Sequence, residues 1–347
     1  MRPLNRRVLA GCLAAATVLA LALTACKPAS STTANPGAGG SATATATTTA
    51  PAAIRIGTLP TEDTLSLWVA EHTDRFKAAG LDVTITTFAS ARERDAALTA
   101  GAIDGEMSDM VSAALLRQGG FPVKVTTLLL GATPAQGRFG IAVKPGSKVT
   151  DLKQLAGVPI GTSSATIQEY VLDSLMKAAG VPDAQVKTQE VAAVPARFQL
   201  LTKGSLAAAA LPEPFLSLAQ LQGAHVVADD TAGANLSQTV LLFSEKYLKD
   251  PAHTTSVFKL LGAIDQAAQV INQNPNIWRA LLVTNARLPQ ELAKTYKVNT
   301  YPRPQLPRQT DVDPLLAWMR RKGLLKSSVT YADLMWSRMA AAVQAPQ

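Results

Sequence analysis

Cysteine is almost missing from this sequence. Of 347 residues two are Cys, and both, Cys12 and Cys26, lie in the first 26. The remaining chain therefore holds no disulfide and no thiolate metal cluster. Histidine is nearly as scarce, with three in the whole chain. His72 sits in a polar stretch, and His225 and His253 stand near the ends of expected elements. No His pairs with a Cys and no His-x-x-x-His occurs, so nucleophilic and zinc chemistry lack their parts. There is no Gly-x-Ser-x-Gly elbow, and Gly161-Thr162-Ser163-Ser164 is not one. Aromatic residues are 5%, too few for an interleaved stacking platform for single-stranded nucleic acid. Charged residues are 17% against 47% hydrophobic, which excludes wholesale disorder and supplies a substantial core. The length allows one large domain or two lobes of ordinary size.

The net charge of +8 is unevenly placed. Arg2, Arg6 and Arg7 open the chain, and residues 301–347 hold seven Lys/Arg against three Asp. The rest is close to neutral, without the basic stripe of a nucleic-acid binder. Residues 1–25 read as a targeting leader: three arginines, then an apolar run from Val8 to Leu23 too short to span a bilayer. It ends in Leu23-Thr24-Ala25-Cys26, which resembles the bacterial lipobox, with Cys26 the lipidated residue. Residues 26–53 are rich in Ser, Thr, Ala, Gly and Pro and read as a flexible tether. No later run reaches 18 apolar residues, so the reading is a protein anchored to a membrane rather than spanning it.

From Ile54 the texture becomes short apolar strands alternating with amphipathic helices. Strands are expected at 54–58, 83–88, around 105–107, at 123–130, 139–143, 159–162 and 239–243. Helices are expected at 65–79, ended by Gly80, and at 91–100, capped by Ser90. Thr166-Ile167-Gln168-Glu169 matches a capping box, opening a helix to Ala179 whose buried face is Ile167, Val171, Leu175 and Ala179. This β–α rhythm implies mostly parallel sheet with helices on both faces. The pattern restarts midway: Ile56-Gly57-Thr58 recurs as Ile160-Gly161-Thr162, and Lys77-Ala78-Ala79-Gly80 as Lys177-Ala178-Ala179-Gly180. Two α/β lobes follow, with lobe 1 from 54–138 and 244–340, and lobe 2 with its hinge strands from 139–243. The C-terminal part reads as helical at 254–272, 276–284, 289–296 and 313–323.

These pieces resemble the solute-binding proteins of ABC importers, in the nitrate/taurine/alkanesulfonate-type group that also includes the thiamine-precursor binders. The matching stretches are IGTLPTEDTLSLWVAE, ERDAALTAGAIDGEMSD, RFGIAVKPGSKVTDLKQLAG, PIGTSSATIQEY and ALPEPF at 210–215. The resemblance implies a periplasmic-binding-protein-like type II fold, two α/β lobes joined by two hinge crossings, closing over a small molecule. It also implies delivery to a membrane permease served by an ATPase, by a monomer that is not itself an enzyme and uses no cofactor. The alternative is a ligand-sensing surface receptor of the same fold without transport.

In parallel sheets, ligands sit beyond the C-terminal ends of the strands. Four turns occupy such positions. The first runs from Thr58 to Thr64 with Thr61, Glu62 and Asp63, and the second from Ser90 to Arg94. The third is Ser108-Asp109, and the fourth runs from Thr162 to Thr166 with Ser163 and Ser164. Helix N-termini there favour an anion, while plain capping needs only one of the hydroxyls. The carboxylates Glu62, Asp63, Asp109 and Glu213 argue against a simple inorganic anion unless Arg92, Arg94 or Arg138 pairs with them, and leave two ligand classes on equal footing, a sulfonate-like anion and a zwitterionic or heteroaromatic compound like a thiamine precursor. Glu213 stands between Pro212 and Pro214, either as a preorganised contact or as an exposed turn residue. Trp68 shares a helical stripe with Leu65 and Val69, which assigns it to the core. The expected ligand set is Thr58, Thr61, Asp63, Ser108, Asp109, Thr162, Ser163, Ser164 and Glu213, with no metal.

Overall fold

The computed structural model describes residues 52–339; the leader, Cys26, nearly all of the tether and the chain beyond Met339 lie outside them. The first half runs β1 (Ala52–Thr58), α1 (Leu65–His72), α2 (Arg75–Ala78), β2 (Leu81–Thr87), α3 (Ala91–Thr99), β3 (Gly105–Asp109), α4 (Met110–Gln118) and β4 (Val123–Leu130). The second continues with β5 (Phe139–Val143), β6 (Pro159–Thr162), α5 (Ile167–Ala178), β7 (Lys187–Glu190), α6 (Val194–Thr202), β8 (Ala208–Pro212), α7 (Phe215–Leu221) and β9 (His225–Asp229). The chain then enters β10 (Thr239–Ser244) and a helical region: α8 (Glu245–Leu248), α9 (Pro251–Gln273), α10 (Arg279–Asn285), α11 (Gln290–Ala293), α12 (Gln309–Arg321) and α13 (Tyr331–Leu334).

Two five-stranded sheets result, ordered β2-β1-β3-β10-β4 and β7-β6-β8-β5-β9. Each is mostly parallel, with one reversed strand in the fourth place. β10 runs antiparallel to β3 and β4, and β5 antiparallel to β8 and β9. Those two strands follow the chain's two crossings, β4 to β5 and β9 to β10. A strand entering from the other sheet arrives from the opposite end, so it runs against its neighbours. The two sheets thus share one plan in which β1, β2, β3 and β4 correspond to β6, β7, β8 and β9.

The expected helix over 65–79 is two helices. Asp74 adopts φ 53°, the left-handed region a short polar side chain tolerates, and breaks the run between α1 and α2. The Val69 carbonyl accepts from both the Thr73 N–H at 3.0 Å and the Thr73 hydroxyl at 2.6 Å, closing α1. Trp68 is buried in the core as its stripe implied. The capping box at 166–169 does not form. The Thr166 hydroxyl donates to the Ser163 carbonyl at 2.7 Å, and Glu169 Oε2 accepts from the Ala165 N–H at 2.7 Å. The 276–284 helix begins only at Arg279, after a 3-10 turn at Pro275–Trp278. The 289–296 helix is a single turn, Gln290–Ala293.

The 23-residue α9 starts at Pro251, capped by Asp250, whose Oδ1 accepts from the Ala252 N–H at 2.8 Å. Its buried stripe of Val257, Leu260, Leu261, Ile264, Ala267, Ala268 and Ile271 recurs at helical spacing and packs on α1 and α2. α12 packs on α4 and also reaches α5. Trp318 Nε1 donates to Asp173 Oδ2 at 2.9 Å, and Lys322 lies 2.9 Å from Glu169 and 3.0 Å from Asp173. Among the described residues no helix is long and apolar enough to cross a membrane.

Candidate functional site

The C-terminal edge of the first sheet is polar and buried. Thr58 ends β1 fully buried, its hydroxyl 3.3 Å from that of Thr87 at the end of β2. Ser108 and Asp109 end β3. The Ser108 hydroxyl accepts from Arg94 Nη2 at 3.0 Å. Asp109 Oδ1 accepts from the N–H groups of Val111 and Ser112, at 2.8 and 3.0 Å, so this carboxylate fills the N-terminus of α4. Burial pushes the Asp109 carboxyl up to about 6, with Arg94 pulling the other way. Arg94 is itself buried and paired with Asp95 at 2.7 Å and Glu106 at 3.4 Å.

A second group of acids gathers beside the strand crossings. Glu62, Asp63, Arg138, Phe139, Glu213, Ser237 and Thr239 line a cavity of about 10 Å³, room for one water. Asp63 and Thr239 line it, and Thr61 is buried beside Asp63. Burial raises the Asp63 carboxyl, and both hydroxyls pull it the other way. Glu213 is buried rather than exposed at its turn. It accepts from the Ser217 hydroxyl at 2.8 Å, the Ser217 N–H at 3.1 Å and Arg138 Nη1 at 3.1 Å. The Glu62 side chain is held by Tyr296 and Asn299, and its backbone carbonyl by the Tyr301 hydroxyl at 2.6 Å. The carboxylate accepts from the Tyr296 hydroxyl, from the Asn299 N–H at 2.7 Å and from Asn299 Nδ2 at 3.1 Å. Burial pushes its carboxyl up to about 8.

At the second sheet the loop after β6 is occupied by protein carboxylates. The Ser164 N–H donates to Glu190 Oε2 at 2.8 Å and the Ala165 N–H to Glu169 Oε2 at 2.7 Å. Thr162 is fully buried and its hydroxyl has no partner; Ser163 is buried, and Ser164 is exposed. Arg92 of α3 approaches Glu190 at 3.6 Å. All three arginines weighed against the acids are therefore engaged: Arg92 with Glu190, Arg94 with Asp95 and Glu106, Arg138 with Glu213 and Asp229. Asp63 has none.

The expected set is not gathered into one hollow. A larger cavity, about 520 Å³ and within the range of small-molecule sites, lies elsewhere. Pro60, Thr87, Phe88 and Ala89 come to it from the loops after β1 and β2. Phe198, Gln199, Phe215 and Leu218 come from α6 and α7 of the second sheet, and residues 284–287 close it. Pro60 and Thr87 bring it next to Thr58 and Thr61, but Thr58, Ser108, Asp109, Thr162, Ser163 and Ser164 do not line it. Sequence reasoning missed Phe88, Phe198 and Phe215 as site residues. The signal was present in part, since Phe215 closes ALPEPF and Phe88 stands two residues before the second turn.

The model of the NMT1/THI5-like family matches residues 62–277, more than half of the chain. The chain belongs to that family. The matched span of this NMT1/THI5-like protein runs from Glu62 through both sheets into the helical region. Among solved structures, the alkanesulfonate-binding protein SsuA from Xanthomonas axonopodis pv. citri, bound to MOPS, superposes with a TM-score of 0.71 at 19% identity. The alignment covers 83% of this chain and 99% of that one. The periplasmic aliphatic sulphonate-binding protein SsuA from Escherichia coli gives 0.67 at 18%, covering 83% and 99%. The periplasmic nitrate-binding protein NrtA from Synechocystis PCC 6803 gives 0.68 at 16%, covering 85% and 89%. At these identities the likeness is one of fold: two α/β lobes of the periplasmic-binding-protein kind. Comparison with curated proteins finds no match.

Proposed function

We propose that this chain is the extracytoplasmic solute-binding component of an ABC importer, a monomeric lipoprotein held to the membrane through Cys26. In this reading lobe 1 (54–138 and 244–340) and lobe 2 (139–243) close on one small polar organic molecule by hinge motion at the two strand crossings. The closed form docks on a permease whose ATPase supplies the energy. The chain itself acts as a binder, not an enzyme, and takes no nucleic acid. The observation that carries the reading is the 520 Å³ cavity walled by loops of one sheet and helices of the other. A hollow shared between two lobes is what a closing binder needs. The fold relatives support it, being binders of alkanesulfonate and nitrate by name.

The ligand we favour is nitrogen-bearing or zwitterionic, with a planar body, rather than an inorganic anion. Phe88, Phe198 and Phe215 offer faces for a planar group. The N–H groups before α5, the natural anion cradle, are engaged by Glu190 and Glu169. Asp63 is a buried carboxylate without an ion-pair partner; it and Glu213 line the one-water cavity beside the strand crossings rather than the 520 Å³ one, and in this reading they accept from a ligand N–H once the crossings hinge.

The test is a thermal-shift screen of the purified full chain with aminopyrimidines, alkanesulfonates, taurine and nitrate, since a ligand of the native state raises its apparent stability. A nitrogen-bearing hit would then be titrated by calorimetry. Asp63→Asn should weaken it by roughly ten- to a hundred-fold, as for one lost hydrogen bond to a charged partner. Phe88→Ala should also weaken it, the affinity being measured below the variant's own lowered melting temperature. Nitrate binding that ignores both substitutions would refute the ligand class, and silence across the panel would refute the binding reading.

A further inference from the structure

The shared plan of the two sheets exposes a difference in charge. Arg94 is the fourth residue of α3 and Arg197 the fourth of α6. Each lies over the glycine of the repeated Ile-Gly-Thr. A Cβ added at Gly57 would come within 3.2 Å of Arg94 Cγ, and one at Gly161 within 3.5 Å of Arg197 Cγ. Ile103 walls the first glycine and Leu206 the second, each nine residues beyond its arginine. Both arginine side chains are buried, at 1% and 0% exposure.

Their surroundings differ in one respect. Arg94 is neutralised by Asp95 and Glu106 and hydrogen-bonded to Ser108 and Ser112. At the same spacing from Arg197, the positions that match Asp95, Glu106 and Ser108 are Phe198, Ala209 and Leu211, all without charge or hydroxyl. Arg197 Nη1 donates to the Val191 carbonyl at 2.7 Å, while Nε and Nη2 have no partner. Glu190 is the carboxylate whose field reaches it, and Glu190 is committed to Ser164 and Arg92. Burial draws the Arg197 guanidinium down to about 9. A buried charge without a counter-charge is strongly unfavourable, and a buried polar group left unsatisfied in a native fold calls for an explanation.

We propose that Arg197 is the receptor for an anionic group, a carboxylate or sulfonate, on the ligand this protein binds. The guanidinium fork presents Nε and Nη2 side by side, the geometry that a two-oxygen acceptor fits. Its position is right for this. Arg197 sits at the C-terminal edge of the second sheet, where the Val191 N–H donates to the Thr162 carbonyl at 2.8 Å. The Thr162 hydroxyl, unpartnered and buried, flanks the same strand end. Pro195, Phe198 and Gln199 of the same helix line the 520 Å³ cavity, and Arg197, fully buried, stands between them in the helix. The inference rests on the binding reading and narrows it. A zwitterion would set its anionic end on Arg197 and its nitrogen toward the carboxylates by the hinge.

The purified full chain would be melted in sodium ethanesulfonate and in sodium propionate, with sodium chloride at equal ionic strength as the reference. The organic anions should raise the melting temperature above the chloride reference in a saturable way. Arg197→Met, close in shape and uncharged, should weaken half-saturation by roughly ten-fold or more, without lowering the melting temperature in chloride. Arg197→Lys, which keeps the charge and loses the fork, should respond between the two and guards against a misfolded Met variant. The proposal is overturned if neither anion exceeds chloride, or if Arg197→Met saturates like wild type. Propionate is not among the compounds of the ligand screen, so its response is read separately from it. A propionate response lost in Arg197→Met, with no screen hit, would remove the transport ligand and leave this site. A screen hit indifferent to Arg197→Met would do the reverse.

Discussion

The guanidinium of Arg92 lies 3.6 Å from the carboxylate of Glu190, so a helix beside the first sheet touches an edge strand of the second. Glu190 is shared: its other oxygen accepts from the Ser164 N–H, and the two ion-pair side chains are 72% and 41% exposed. One solvated pair thus ties the two sheets together across the ends of their strands. Pairs this exposed contribute little to global stability. Arg92→Ala should change the unfolding free energy by less than about 1 kcal/mol. It should enlarge the radius of gyration in X-ray scattering of the ligand-free protein, because one contact holding the lobes together is gone. An unchanged radius would mean the pair plays no part in closure.

Arg94 is the opposite case. Its loss strands Glu106, which is fully buried with neither oxygen hydrogen-bonded, beside Asp95. Removing one partner of a buried ion pair typically costs about 3–5 kcal/mol. Arg94→Met should show a loss of that order in urea denaturation, whereas Arg197→Met, with no carboxylate to strand, should show none. Equal losses in both would contradict the charge difference between the two sheets.

Asp109 gives the stability a pH dependence of known sign. Burial holds its folded carboxyl at about 6, above the ordinary 3.8. Between those values the folded protein keeps a proton that the unfolded chain has released. The contribution is therefore complete below pH 3.8 and is lost as pH rises through about 6. Asp109→Asn keeps the cap on α4 and removes the titration. Relative to that variant, wild type should lose roughly 2–3 kcal/mol of unfolding free energy across this window. Parallel stability curves for the two proteins would show that Asp109 is not perturbed.

Cys26 carries the anchoring proposal. Cys26→Ser should leave the leader uncleaved or release the protein from the membrane fraction. A serine variant that is processed and retained like wild type would remove the lipoprotein reading.

The repeat of Ile-Gly-Thr and of Lys-Ala-Ala-Gly announced two units of like architecture, and the strands at 139–143 and 159–162 are legible to the residue. Both signals are local: an apolar run of strand length bounded by turn residues needs no distant partner. The elements between 187 and 229 were not read, and they hold α6, α7 and much of the larger cavity's wall. Lys187–Glu190 is exposed and polar throughout, so β7 carries no apolar pattern; its place as an edge strand comes from pairing with β6.

By itself the sequence determined the alternation of strands and helices, the doubling, the scarcity of Cys and His, and the polar turns at strand ends. These follow from residue type and period, which act over a few neighbouring residues. Only the tertiary structure decided what each charge meets. Glu62 is locked by Tyr296 and Asn299, more than 230 residues away. Glu213 is held by Arg138 and Ser217, and the N–H groups before α5 by Glu190 and Glu169. A carboxylate or guanidinium is stabilised by whatever lies within a few ångströms of it, and in a two-sheet fold with crossing strands those neighbours come from distant sequence. That is why Arg94 and Arg197, alike in helix position and glycine contact, end as a neutralised core residue and an uncompensated one.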